Sequence, residues 1–159
     1  MKTYDAIVIG GGPAGMFAVG TCAQTGNQVL LFEKNGSLGK KLLITGKGRC
    51  NITNAGEMKS FIQNYGEKGN FLYRAFSEFF NEDLVGFFES YGVKTKVERG
   101  GRIFPANDKS EEVLGALQKF LKETEVKIFY NSSVKEIKVE KTGIKKLFWI
   151  MEKFLQQKM

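Results

Sequence analysis

The chain opens on a short apolar run, Tyr4 to Ile9, rich in β-branched residues and closed by Gly10, Gly11 and Gly12. A bounded run of that kind predicts a buried parallel strand. Pro13 suits the first position of a helix, where its missing N–H costs nothing. The mostly small residues from Ala14 to Gln24 then lead to Gly26, a helix-terminating glycine. A second apolar run, Gln28 to Phe32, ends at Glu33. Strand, helix and strand in this order predict a βαβ unit with a right-handed crossover.

Residues 34–56 lose the periodicity and carry five glycines, Gly36, Gly39, Gly46, Gly48 and Gly56, around a short apolar step at Leu42–Ile44; they predict a functional loop. Helical spacing returns at Leu72, Ala75, Phe76, Phe79 and Phe80, then at Leu84, Phe87 and Phe88 behind a capping Asn81, with Gly92 as the stop. This phenylalanine-dense pair reads as a helical hairpin covering a core rather than a ligand box, because packing alone requires such spacing. Short strands are expected at Val93–Val97 and Arg102–Phe104 around the Gly100–Gly101 turn. Asp108 and Glu111 match a capping box for a helix with the apolar face Val113, Leu114, Leu117, Phe120, Leu121. Val126–Tyr130 and Ser133–Val139 read as two more strands. From Thr142 the spacing of Ile144, Leu147, Phe148, Met151, Phe154 and Leu155 is helical.

At 159 residues with 42% apolar and 26% charged positions, the chain is long enough for one domain and is not a disordered one. No apolar run approaches the ~20 residues of a membrane span, and the N-terminus does not read as a signal peptide, so a cytoplasmic setting is expected. There is no histidine, which excludes imidazole acid–base chemistry and histidine-ligated metals. Cys22 and Cys50 form no C-x-x-C pair, so free thiols are expected, with neither a disulfide nor a metal site. The net charge of +7 suggests nucleic acid at first sight, but residues 141–159 carry +4 of it and the remainder is interspersed with carboxylates. A mixed surface is the simpler reading, with no nucleic-acid partner.

Gly10-Gly11-Gly12-Pro13-Ala14-Gly15 contains G-x-G-x-x-G between a strand and a helix. The glycines permit a tight turn, backbone approach of a pyrophosphate and close helix–strand packing, and the helix N-terminus favours the anion. Glu33, 18 residues past Gly15, stands where a carboxylate accepts hydrogen bonds from ribose hydroxyls. The pattern predicts dinucleotide binding without separating NAD from FAD.

The loop Gly39-Lys40-Lys41-Leu42-Leu43-Ile44-Thr45-Gly46-Lys47-Gly48-Arg49-Cys50-Asn51-Ile52-Thr53-Asn54 closely resembles the signature of the aminoacetone-oxidase-like, or BaiN-like, family of bacterial NAD(P)/FAD-dependent oxidoreductases. The resemblance continues through Glu98-Arg99-Gly100-Gly101-Arg102-Ile103-Phe104-Pro105 to Val134 and covers about residues 3–140. It implies an α/β, Rossmann-like FAD-binding fold with a parallel sheet, a βαβ start and a long insertion. It implies non-covalent FAD, with NAD(P)H as a candidate electron donor. The cofactor-binding residues it implies are Gly10, Gly12, Pro13, Ala14, Gly15, Glu33, Lys34, Lys41, Gly46, Gly48, Arg49, Cys50, Asn51 and Val134, the last through backbone groups at the adenine. For Arg49 and Asn51 a second reading stays open, in which they pin the loop by side-chain hydrogen bonds to the backbone. Cys50 reads more simply as packing than as a redox thiol, and no catalytic residue is assigned.

Members of the family are longer, so the fold is expected to be incomplete here. Residues 1–140 would be the N-terminal part of the cofactor domain, and 141–159 a non-family, amphipathic basic tail from truncation. The first strand should be central in the complete sheet, so its apolar edge is expected to be open. The expected function is the FAD-binding portion of a flavin-dependent oxidoreductase with an unassigned small-molecule substrate. The alternatives are a non-catalytic dinucleotide-binding fragment completed by a separate C-terminal half, or an NAD-dependent enzyme, which the Gly39–Asn54 loop disfavours.

Overall fold

The computed structural model describes residues 4–140 and 143–151. Its elements begin β1 (Ala6–Ile9), α1 (Pro13–Gln24), β2 (Val29–Phe32), α2 (Lys40–Ile44), β3 (Thr53–Asn54), α3 (Met58–Asn64), α4 (Tyr73–Glu78) and α5 (Asn81–Ser90). They continue with β4 (Thr95–Val97), β5 (Arg102–Pro105), α6 (Ser110–Lys122), β6 (Lys127–Phe129), β7 (Ser132–Glu140) and β8 (Gly143–Met151). Two units divide the chain: one takes in the described residues of Met1–Lys40 and Leu117–Met159, the other Lys41–Ala116.

In the first unit β1 and β2 pair in parallel from Ala6↔Val29 to Ile9↔Phe32, and β6 pairs in parallel with the other side of β2. The strand order is β1-β2-β6, the βαβ-initiated α/β arrangement expected from the sequence. All four residues of β2 are buried, which is why its sequence is uniformly apolar. Met16 and Val19 of α1 and Leu117 of α6 are fully buried, each side chain contributing about 1.5–3 kcal/mol. Gly20 allows α1 and α6 to approach, because a Cβ there would collide with the Phe120 ring.

Among the described strands β1 is an edge. Ile7 and Ile9 are 41% and 50% exposed, while their partners Leu30 and Phe32 are 4% and 1% exposed. The helical spacing after Thr142 does not produce a helix. Gly143–Met151 is instead strand β8, paired antiparallel with β7 from Ser132↔Met151 to Glu140↔Gly143. Cross-strand pairing prevails over a local period that also fits a strand rich in Ile, Leu, Phe and Trp. Phe154 and Leu155 of that pattern lie outside the described residues.

In the second unit the sheet order is β3-β5-β4, all antiparallel. The expected loop at 34–56 contains α2, a 3-10 turn at Thr45–Gly48 and β3. The expected helical hairpin is α4 and α5, preceded by α3 and a 3-10 segment at Gly66–Leu72. Phe61 of α3 and the hairpin rings of Phe76 and Phe80 pack on one another, Phe61 and Phe80 4.9 Å apart and Phe76 and Phe80 5.4 Å. Yet α4 buries no residue, Phe79 is 41% exposed, and of the expected apolar face only Phe88 is buried. Asn81 sits inside α5, one residue past its cap position, and its amide donates to the carbonyls of Asn54 (2.8 Å) and Gly56 (3.0 Å). At the start of α5 the Phe80 N–H donates to Asp83 (2.7 Å) and the Glu82 N–H donates to Asn81 Oδ1 (2.8 Å).

Candidate functional site

The turn between β1 and α1 is built by glycines with separate tasks. Gly10 holds φ at +105°, which only glycine adopts without strain, and a Cβ on Gly15 would collide with the Gly10 carbonyl oxygen. Gly12 has ordinary backbone angles (φ −78°, ψ 178°), yet nothing described lies within 4 Å of where its Cβ would stand. That open volume faces the start of α1, which has Pro13 in its first turn, no side-chain cap and no acidic residue there. The first-turn amides of Ala14 and Gly15 and the helix dipole therefore favour an anion. An approaching pyrophosphate fits this cradle.

Glu33, at the end of β2, is 6% exposed. Its Oε2 accepts the Gly11 N–H at 2.7 Å, and its Oε1 accepts the backbone N–H of Asn35 at 2.7 Å and the Asn35 amide at 2.6 Å. A carboxylate has about four acceptor positions. Among the described residues one stays open, on Oε2, which suits a ribose hydroxyl. Lys34 is exposed beside it, and the Ser132 N–H donates to the Glu33 carbonyl at 2.9 Å, tying the start of β7, with half-buried Val134, to this end of β2.

The remaining expected site residues lie in the second unit and form a different kind of centre. Lys41 is exposed on α2. Gly46 and Gly48 shape the 3-10 turn, in which the non-glycine Lys47 also takes a positive φ of 59°. Arg49 donates to Asp108 (Nε to Oδ1, 2.8 Å) and to Glu98, and its guanidinium lies 4.3 Å from the centre of the Phe104 ring. Lys96 closes the network, 2.6 Å from Asp108 and 3.5 Å from Glu98. Asp108 is thus not the capping residue of α6: its carboxylate goes to two cations, its φ is +61°, and the helix starts at Ser110. Lys96 first and Arg49 second hold the Asp108 carboxyl below the usual range, while Asp108 and then Glu98 raise the guanidinium of Arg49.

Cys50 is 6% exposed at φ 58°, and burial pushes its thiol up, partly offset by a hydrogen bond with Thr45. Cys22 and Cys50 are free thiols. With its amide in the orientation that satisfies its neighbours, Asn51 donates to the carbonyls of Ile103 (3.1 Å) and Thr53 (2.9 Å). Asn51 thus bonds the backbone, as its second reading expects, whereas Arg49 bonds the side-chain carboxylates of Asp108 and Glu98 rather than the backbone. Asn35, Lys96 and Asp108 were not among the expected site residues. Only the two-residue spacing of Glu33 and Asn35, common in side-chain-closed turns, signals the first.

No described helix is long and apolar enough to cross a membrane, and no cluster of three or more acidic, cysteine or histidine side chains among the described residues could hold a metal.

Comparison with known proteins places these features in a family context. The HI0933-like protein Rossmann domain family matches residues 4–157, a span that runs through β8. The 3-dehydro-bile acid delta(4,6)-reductase of Clostridium scindens is 36% identical over 138 residues, which are 86% of this chain and 33% of that protein. The ribosomal RNA dihydrouridine synthase of Escherichia coli is 28% identical over 144 residues, 90% of this chain and 35% of that one. The chain therefore spans about a third of the length of these relatives. Among solved structures, Mycobacterium smegmatis Sdh1 in complex with UQ1 superposes with a TM-score of 0.66 at 20% identity, covering 93% of this chain and 30% of that one. That likeness speaks for the fold alone.

Proposed function

The chain belongs to the HI0933-like protein Rossmann domain family, and from that premise we propose that it is the FAD-binding portion of a flavin-dependent oxidoreductase. The observation that carries the reading is the open volume at Gly12 against an uncapped helix start, beside a buried Glu33 with one acceptor position to spare. In this proposal the backbone N–H groups of Gly12, Ala14 and Gly15 hold the pyrophosphate, Glu33 holds a ribose hydroxyl, and backbone groups at Val134 meet the adenine. FAD, when bound, supplies hydride and electron transfer. The protein binds and orients it, with the exposed Lys34 next to Glu33 in the chain. FAD is preferred to NAD because the Gly39–Asn54 loop resembles a flavoprotein signature; NAD(P)H as electron donor belongs to the same proposal.

Reduction is the reaction class we propose, by likeness to the relatives named as a reductase and a dihydrouridine synthase. A bile acid and ribosomal RNA share no shape, so no substrate is carried over. A second reading, a binding fragment completed by a separate polypeptide, is favoured by the open apolar edge at Ile7 and Ile9.

The visible absorbance of the purified chain, before and after FAD is added and free flavin removed, tests the proposal. Retained flavin bands are expected; a colourless protein overturns it. Turnover that appears only on mixing with a polypeptide covering the remaining two-thirds of the relatives' length supports the second reading.

A further inference from the structure

We infer that Asn35 is a positioning residue that fixes which oxygen of Glu33 faces the ribose. The inference rests on the adenosine site proposed above and names a residue of it that neither the glycine fingerprint nor the family resemblance contains. The terminal torsion of a glutamate is broad, so its carboxylate plane is not set by its own rotamer. Here it is set from outside. Asn35 fills both acceptor positions of Oε1, with its backbone N–H at 2.7 Å and its side-chain Nδ2 at 2.6 Å. With Gly11 on Oε2 at 2.7 Å, the one open position is forced onto Oε2.

Asn35 is itself fixed from two directions. Its Oδ1 accepts from Lys40 Nζ at 3.2 Å and its carbonyl accepts the Asn131 N–H at 3.0 Å. An ammonium on one side and a carboxylate on the other permit a single orientation of the amide. Without the side chain, Oε1 keeps only the backbone N–H and regains an open acceptor position, so that hydroxyl recognition is shared between two oxygens.

Calorimetric titration of the 159-residue chain with ADP and with 2′,3′-dideoxy-ADP tests this. The unaltered chain is expected to prefer ADP by about tenfold or more, the scale of a hydrogen bond to a charged group. In Asn35→Ala the preference is expected to shrink to about twofold, with dideoxy-ADP affinity unchanged. Asn35→Asp, similar in size but placing a second carboxylate against Glu33, should lose as much. A merely structural role would lower both ligands together, and that result, or an unchanged ratio, overturns the inference. Should Asn35→Ala fail to fold, Lys40→Met, at an exposed position, frees the amide to turn and must still reduce the ratio. An unaltered chain that binds both ligands equally overturns the role of Asn35 and leaves the phosphate cradle. One that binds neither overturns the adenosine site and this inference with it.

Discussion

Glu33 in the first unit is held by three neutral N–H groups, whereas Asp108 and Glu98 in the second unit are held by the ammonium of Lys96 and the guanidinium of Arg49. Neutral donors satisfy a carboxylate without cancelling its charge, and around Glu33 they stop one short of saturation. Cations cancel the charge, and at Asp108 they also draw the side chain away from the helix it could have capped. A buried carboxylate with no counter-ion is a poor device for stability, since desolvation costs it more than neutral hydrogen bonds return. It is a good device for meeting a hydroxyl. The paired centre lies around a turn with non-glycine residues at positive φ, Lys47 and Cys50, which persist only where their surroundings over-determine them. The difference supports, within the proposed function, recognition at the first centre and loop fixation at the second.

The largest effect should come from emptying the first centre. Glu33→Leu leaves the Gly11 N–H and the Asn35 amide facing an apolar side chain, an expected loss of about 2–4 kcal/mol. Urea unfolding reads it as a lower midpoint at constant slope, and an unchanged midpoint would show that the three hydrogen bonds carry nothing.

Gly12→Ala sharpens the same comparison from the ligand's side. Its backbone angles suit any residue and its Cβ would meet nothing described, so stability should hold or rise by up to ~1 kcal/mol. Affinity for ADP should fall by about tenfold or more, because the methyl occupies the cradle. Equal affinity in the two proteins would place the phosphate elsewhere.

Arg49→Met addresses the second centre. Tryptic cleavage after Lys47 is expected to become several-fold faster, with Arg49→Lys intermediate, since an ammonium cannot replace the forked contacts to two carboxylates. Affinity for ADP should stay within about twofold. A large loss there would make Arg49 part of the adenosine site and dissolve the distinction between the centres.

The two centres were unequally legible in the sequence. The glycine turn, α1 and Glu33 follow one another within a single βαβ unit, so local spacing was sufficient to foresee them. The partners of Arg49 lie 49 and 59 residues away, and no local pattern links Arg49 to Asp108. Asp108 also satisfies a capping rule that the structure does not use, because two nearby cations bind a carboxylate more strongly than a helix amide does. The β8 segment misled for the opposite reason. Ile144, Leu147, Phe148 and Met151 fit a helical period, while what fixes the strand is its partner β7. Asn35 carries no motif at all; its contribution appears only once Glu33, Lys40 and Asn131 are seen around it.

The smallest effect is the one that acid should produce on the second centre. Lys96 and Arg49 lower the Asp108 carboxyl in the folded chain below its ordinary value. The folded state therefore binds fewer protons than the unfolded one across that interval. The stabilisation is complete above the ordinary carboxylate range, near pH ~4, and is lost as the pH falls through the lower folded value. Hydrogen exchange, corrected for intrinsic rates, can follow this at the Cys50 N–H, bonded to the Thr45 carbonyl, and the Arg49 N–H, bonded to that of Gly46. Their protection should decline on acidification before that of the Gly10 N–H, which is bonded to the Phe32 carbonyl in the first unit's sheet and reports general unfolding. Asp108→Asn should show the lower protection already at neutral pH and lose the acid dependence. Protection that falls equally in the variant would assign the transition to another group, and would reduce Asp108 from holding the turn to lying beside it.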